Sequence, residues 1–234
     1  MNQSQNQHQH PSPSHDKLHD PNIDIRQLFT QEFWDERYAS ADRIWSGNPN
    51  PQLVTHVADL TPGAALDLGC GEGADAVWLA ARGWQVTAVD VSTVALERAA
   101  REAEAVGQEV ADRITWQQAD ALSWAPPPGL FDLVSAQYVH PPIDLRDEVT
   151  RRLAAAVRAG GMLLIVGHHP SDVETIGRPK HLSELMFTPE QIAAALDVSE
   201  WESIQALIPS REVTDSDGNA VTIHDSVLVA VRRR

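Results

Sequence analysis

An open α/β sheet, mostly parallel and wound by helices on both faces, is the fold class that the sequence predicts, on three observations. The first is a strand, a glycine turn and a helix in immediate succession: residues 64–68 are apolar apart from Asp67, Gly69, Gly71 and Gly73 follow, and Ala76, Val77, Leu79 and Ala80 recur at helical spacing. The second is a pair of further strand-like stretches, 84–89 and 114–119, that each stop at an acid, Asp90 and Asp120. The third is the continuous apolar run 162–166, which suits a strand buried on both faces.

The remaining elements follow in chain order. Residues 1–22 are rich in Gln, Asn, Ser, Pro and His and offer almost nothing to bury, so they are expected to be a disordered polar tail. Their histidines, His8, His10, His15 and His19, match no closed metal site, and no metal is assigned. Residues 23–234 are expected to form one domain, opening with a segment (23–50) in which Ile25, Leu28, Phe29, Phe33 and Trp34 make a helical apolar stripe. A helix over 51–60 leads through Pro62-Gly63 into the first strand, and Ser92 is placed to cap a helix that runs to about Val106 and stops at Gly107. Three prolines, 126–128, stiffen the approach to a strand over 130–136. A helix over 147–159 with Gly160-Gly161 as its stop precedes the run 162–166. Residues 171–187 have no clear period and read as a lid; Thr188-Pro189-Glu190-Gln191 reads as a helix start. Two last strands, 201–213 and 222–232, are joined at Asp217-Gly218 as a hairpin.

With 234 residues and 42% hydrophobic content the chain is long enough for one large core. Its 33 acids against 18 bases give a net charge of −15, which repels a phosphate backbone and argues against nucleic acid as a partner. One cysteine cannot form an internal disulfide, and no stretch reads as a signal peptide or membrane helix. A cytoplasmic protein without membrane contact, a monomer or weak dimer, is expected.

In an open parallel sheet the carboxyl ends of neighbouring strands line one crevice, so Asp67, the three glycines, Asp90 with Val91, Asp120 with Ala121, and Gln137 converge on one ligand. An acid after the second strand suits ribose hydroxyls, and one after the third can accept from an adenine amine. A dinucleotide would place its pyrophosphate on the turn, but Asp67, Glu72 and Asp75 surround that turn with negative charge. A ligand carrying an ammonium or sulfonium is favoured instead, which points to S-adenosylmethionine over a nicotinamide dinucleotide.

The run from Asp67 to Gly73 resembles the first motif of the class I S-adenosylmethionine-dependent methyltransferases, an acid followed by Leu-Gly-x-Gly-x-Gly, and the later strand-end acids recur in order. The resemblance implies a Rossmann-like, doubly wound, seven-stranded sheet with an antiparallel C-terminal strand, and S-adenosyl-L-homocysteine as the product of the cofactor. The phrases Phe33-Trp-Asp-Glu-Arg-Tyr38 and Ile44-Trp-Ser-Gly-Asn-Pro-Asn-Pro51 resemble the N-terminal cover of the thiopurine and tellurite-resistance methyltransferases, which implies that Trp34, Tyr38 and Trp45 close over the cofactor.

A sulfonium methyl is already activated, so the protein has mainly to align a nucleophile and exclude water. His140, His168 and His169 lie at strand ends where a proton acceptor is wanted, and His140 and His169 are the candidate catalytic residues for a hydroxyl or amine acceptor. A thiol ionises unaided and needs neither. The Asn/Asp-Pro-Pro-Tyr/Phe motif that holds planar amines in DNA and protein-amide methyltransferases is absent from Gln137-Tyr-Val-His-Pro-Pro142. The sequence therefore implies methyl transfer to a small molecule through sulfur, oxygen or nitrogen. A non-catalytic S-adenosylmethionine-binding module and an NAD(P)-dependent oxidoreductase are the alternatives.

Overall fold

Period-two alternation along the strands divides the core into two apolar layers, because successive strand side chains point to opposite faces. In the computed structural model, which describes residues 22–173, 175, 180–214 and 218–234, Leu66, Val134, Leu163, Ile165 and Leu228 pack in one layer. Ala65, Leu133, Leu164, Val166 and Val227 pack in the other. Strands β1 (Ala64–Leu68), β2 (Gln85–Asp90), β3 (Ile114–Gln118), β4 (Phe131–Gln137) and β5 (Val157–His168) are parallel neighbours in the order β3-β2-β1-β4-β5. β8 (Ala220–Arg232) runs antiparallel beside β5, β6 (Trp201–Leu207) pairs with its far edge, and the short β7 (Ser210–Thr214) pairs with its first half.

The doubly wound α/β sheet with an antiparallel C-terminal strand is the expected fold, with an eighth strand where seven were expected. The extra strand arises because the stretch expected as one strand over 201–213 breaks at Ile208-Pro209. Proline has no amide to give to a ladder, and the Pro209 carbonyl instead accepts from the Asp225 amide at 2.9 Å. β7 and β8 form the expected hairpin, although Asp217 of its turn lies outside the described residues.

The helices are α1 (Gln31–Ala39), α2 (Pro51–Val57), α3 (Ala74–Ala81), α4 (Thr93–Val106), α5 (Gln108–Ala111), α6 (Ile143–Ala156) and α7 (Pro189–Ala193). Ser92 caps α4 and Thr188 with Gln191 forms a capping box on α7, as the sequence predicts. The helix expected over 147–159 is displaced: α6 starts at Ile143, and Gly160-Gly161 lies inside β5 rather than ending a helix. A Cβ on Gly161 would stand 2.9 Å from the Asp132 carbonyl oxygen and 3.0 Å from that of Phe131, so this glycine lets the backbone of β5 approach β4. Residues 171–187 contain only 3-10 turns, at Pro170–Asp172 and Lys180–Leu185, among the described residues; 174 and 176–179 lie outside them. The tail expected over 1–22 also lies outside, except Asn22.

One consequence of topology places the site. The carboxyl ends of β1 to β5 share one rim, and since β8 runs the other way, with Asp225 opposite His168, the first residues of β8 join that rim.

Candidate functional site

The turn between β1 and α3 is built on three left-handed glycines, Gly69 (φ 72°), Gly71 (φ 52°) and Gly73 (φ 82°). Its amides bond within the fold: Gly69 and Cys70 donate to the Val89 carbonyl at 2.7 and 3.0 Å, Gly71 to Asp90 Oδ2 at 2.8 Å, and Gly73 to the Cys70 carbonyl at 2.9 Å. A phosphate cradle needs such amides pointed at the ligand; here four are committed elsewhere. A Cβ on Gly69 would lie 2.4 Å from Val139, and one on Gly71 would lie 2.9 Å from the Tyr38 hydroxyl, so these two glycines admit the rim and the N-terminal cover to the turn. Gly73 faces the other way, its Cβ position 2.7 Å from that of Ala99 and 2.9 Å from the Trp116 ring, and it serves the packing of α4.

Beneath the turn lies an acidic cluster. Asp67 is 1% exposed, and its Oδ2 has no hydrogen-bond partner among the described residues. Burial, with Asp75 and Asp90 adding their charges, holds its carboxyl well above the ordinary range. Burial pushes Asp75 up to about 6. Asp90 is raised by burial too, although the amides of Ser92 and Gly71 bond its oxygens at 2.9 and 2.8 Å. Among the described residues no group of His, Cys, Asp and Glu forms a metal site. An unpartnered buried carboxyl oxygen is costly, and an ammonium or sulfonium placed over it satisfies both its charge and its missing bond. The cluster therefore fits the cationic ligand that the sequence implies.

Other acids hold the cover down. Glu72, expected to face the ligand, instead accepts from the amides of Ile44 (3.1 Å) and Trp45 (3.0 Å) and pairs with Arg98 at 3.1 Å. Asp75 Oδ1 accepts from the Asn50 amide at 2.6 Å. From the cover itself, Asp35 accepts from Ser92 Oγ at 2.6 Å and from the Val94 amide at 3.3 Å. Sequence reading missed Asp35, whose one signal was an acid inside an aromatic phrase. Tyr38 is 2% exposed and accepts from Trp45 Nε1 at 3.0 Å. Trp34 lies 5.8 Å from the Tyr38 ring and 6.5 Å from that of Trp45, with the Arg37 guanidinium 5.9 Å from both indoles. Trp34, Tyr38 and Trp45, expected to close over the cofactor, form one aromatic cluster beside the turn, with Tyr38 buried and Trp45 47% exposed.

The more distant residues behave differently. Both Asp120 oxygens are used locally, accepting from the Leu122 amide at 2.8 Å and Ser123 Oγ at 2.9 Å. Ala121 is partly buried beside it, and the Val91 carbonyl accepts from Gln118 Nε2 at 3.2 Å. Gln137 donates to Ser135 Oγ at 2.7 Å and leaves its buried Oε1 without a partner among the described residues.

At the rim, Tyr138 is the one non-glycine residue with positive φ (56°) among those described, a strained setting. Its hydroxyl donates to Asp225 at 2.9 Å, Arg211 Nε reaches the same carboxylate at 3.1 Å, and burial, with the Asp225 charge, pushes the phenol up to about 12. His140 Nε2 accepts from the His168 amide at 2.9 Å, and the two rings stack 5.1 Å apart. His169 Nδ1 accepts from the Ser171 amide at 3.2 Å. Each candidate base thus commits one ring nitrogen to a backbone amide, which orders the rim. Missed in the sequence was a second pair, Asp172 and His224, 52 residues apart. Asp172 Oδ1 lies 3.0 Å from His224 Nδ1, and its other oxygen accepts from the His224 amide. A cavity of about 320 Å³ opens beside the rim between Ile23–Arg26, Pro142–Asp144 and Glu184-Leu185.

Residues 65–161 match a methyltransferase domain family. The chain is 31% identical over 149 residues to the methyltransferase GfsG of Streptomyces halstedii, covering 60% of this chain and 52% of that one. It is 32% identical over 139 residues to the 27-O-demethylrifamycin SV methyltransferase of Amycolatopsis mediterranei, covering 57% and 48%. It thus spans about half the length of these curated relatives. TehB from Haemophilus influenzae shares its fold with a TM-score of 0.63 at 18% identity, over 87% of this chain and 67% of that one.

Proposed function

We propose, from a chain whose residues 65–161 match a methyltransferase domain family, that the protein is a class I S-adenosylmethionine-dependent methyltransferase that transfers a methyl group from S-adenosylmethionine to a small-molecule acceptor. The observation that carries the reading is the buried Asp67 carboxyl with its unpartnered oxygen, beneath a glycine turn whose amides are occupied. When bound, the cofactor supplies a methyl on a positively charged sulfur, activated because a neutral thioether is the leaving group.

The chain's own residues bind, orient and dry this ligand. Asp67 and Asp75 sit where an ammonium offsets their burial, Asp90 is the group for the ribose hydroxyls, and Gln137 Oε1 is a second unsatisfied acceptor at the β4 end. Asp120 would have to release one of its two turn bonds to take an adenine amine. Tyr38, Trp34 and Trp45 exclude water from the turn. The cavity beside Pro142, two residues beyond His140, is an approach for the acceptor. The net charge of −15 supports a small molecule over nucleic acid, and the relative named for 27-O-demethylrifamycin SV supports the same reading. No helix among the described residues is long and apolar enough to cross a membrane, and we take the protein to work in the cytoplasm as a monomer or weak dimer.

Calorimetry with S-adenosylhomocysteine and with NAD tests the reading. Binding of the first without the second is expected; binding of NAD alone sinks it. Tight S-adenosylhomocysteine binding with no methyl transfer to any thiol, phenol or amine of a broad panel would make the protein a binding module instead.

A further inference from the structure

Three histidines crowd the rim besides His224, and hydrogen-bond bookkeeping separates it from two of them. His140 spends Nε2, and His169 spends Nδ1, as acceptors for backbone amides. A neutral imidazole has one lone pair, so neither ring can take a proton without breaking a bond that orders the rim. His224 is held the other way round: Nδ1 faces the Asp172 carboxylate at 3.0 Å, which fixes the proton on Nδ1 and leaves the lone pair on Nε2, the nitrogen directed away from the carboxylate.

The carboxylate is built for this task. Its side chain is 4% exposed, while that of His224 is 37% exposed. Although burial alone would raise it, the amide and ring of His224 and the hydroxyl of Ser171, 3.0 Å away, hold the Asp172 carboxyl below its ordinary range. The other groups facing the pair are the His169 ring, 6.4 Å from that of His224, and Ser171, whose hydroxyl lies 2.8 Å from His169 Nδ1. His224 precedes Asp225, which pairs in register with His168, so the dyad stands on the same rim as the ends of β4 and β5.

We infer that His224, oriented by Asp172, is the general base of this site and that the acceptor is a hydroxyl, a phenol or alcohol, rather than a thiol. The inference rests on the methyltransferase reading and deepens it. In the step it serves, a lone pair of the hydroxyl oxygen forms the new O–CH3 bond while the C–S bond of the sulfonium breaks and its electron pair stays on sulfur. The hydroxyl proton passes to His224 Nε2, and the imidazolium formed is stabilised by Asp172 until it loses the proton to water. A thiol reaches its nucleophilic anion near neutral pH unaided and gives such a dyad nothing to do. A hydroxyl does not.

The test uses the full chain, S-adenosylmethionine, and phenol, catechol, 4-nitrophenol and thiophenol as acceptors. Wild type is expected to methylate phenol or catechol. His224→Gln, which keeps a hydrogen-bonding side chain, should slow that transfer roughly 10²- to 10⁴-fold, with a much smaller loss for 4-nitrophenol at a pH where it is already ionised. Asp172→Asn should show part of the same pattern. Independently of activity, ¹⁵N NMR of the cofactor-free protein should show His224 as the Nδ1–H tautomer, and Asp172→Asn should disturb it. Equal losses on ionised and un-ionised phenols, an Nε2–H tautomer in wild type, or transfer to thiophenol alone would each overturn the base. S-adenosylhomocysteine binding with no transfer to any of these acceptors would overturn the hydroxyl assignment while leaving the cofactor reading standing; loss of that binding would remove the reading itself.

Discussion

Asp67, the penultimate residue of β1, and Asp90, the last of the neighbouring β2, do different work, and their replacements should separate. Asp67 has an orphaned oxygen and a carboxyl raised by burial, so Asp67→Asn removes a buried group whose ionisation the fold opposes. The expected outcome is a cofactor-free protein at least as stable as wild type at pH 7, with weaker binding of S-adenosylhomocysteine, read by urea titration and calorimetry. Asp90 instead ties Gly71 and Ser92, accepting a hydrogen bond from the backbone amide of each. Bonds to a charged group are worth about 1.5–3 kcal/mol, so Asp90→Ala should lower both stability and affinity, the latter tenfold or more. Asp120→Ala should cost less affinity, since its carboxylate is already shared by its own turn.

At the scale of elements, the N-terminal cover is fastened by carboxylates. Glu72 is the strongest of these clips because it holds two amides of the cover and Arg98 at once, with only 6% of its side chain exposed. Glu72→Ala leaves Arg98 half-stranded and two amides unmet, a loss on the order of 2–4 kcal/mol. Limited proteolysis should then cut within 40–50, and Trp45 fluorescence should shift to the red. Cleavage no faster than in wild type would mean that Tyr38 and the aromatic packing hold the cover alone. Deletion through Trp45 should abolish methyl transfer and leave the sheet folded by circular dichroism, since β1 to β8 carry their own two-layer core.

Across the whole molecule the acidic cluster couples stability to pH. Asp75 rises from 3.8 to about 6 on folding, so between those values the folded chain binds more protons than the unfolded one. Stability contributed by this group is therefore present at low pH and is lost as pH rises from about 4 to about 6. Urea midpoints of the cofactor-free protein should fall over that interval, and Asp75→Asn, which keeps an oxygen for the Asn50 amide, should flatten the fall. S-adenosylhomocysteine should restore stability at pH 7 by binding the folded state alone. An unchanged slope in Asp75→Asn would mean that Asp75 stays ionised in the folded chain.

What the sequence alone determined is what local rules govern. Strand and helix periods, the left-handed glycines, the Ser92 and Thr188 caps and the succession of strand-end acids all follow from neighbours within a few residues, and together they specified the parallel sheet and the acidic rim of its crevice. Tertiary structure decided the pairings across long stretches of chain. That Glu72 would serve the cover, that Gly161 would lie in a strand because β4 needs its bare Cα, and that Asp172 would orient His224 from 52 residues away were set by where the sheet brings distant segments. A carboxylate looks the same in sequence whether it meets a ligand, an amide or an imidazole; only the packed fold supplies the partner.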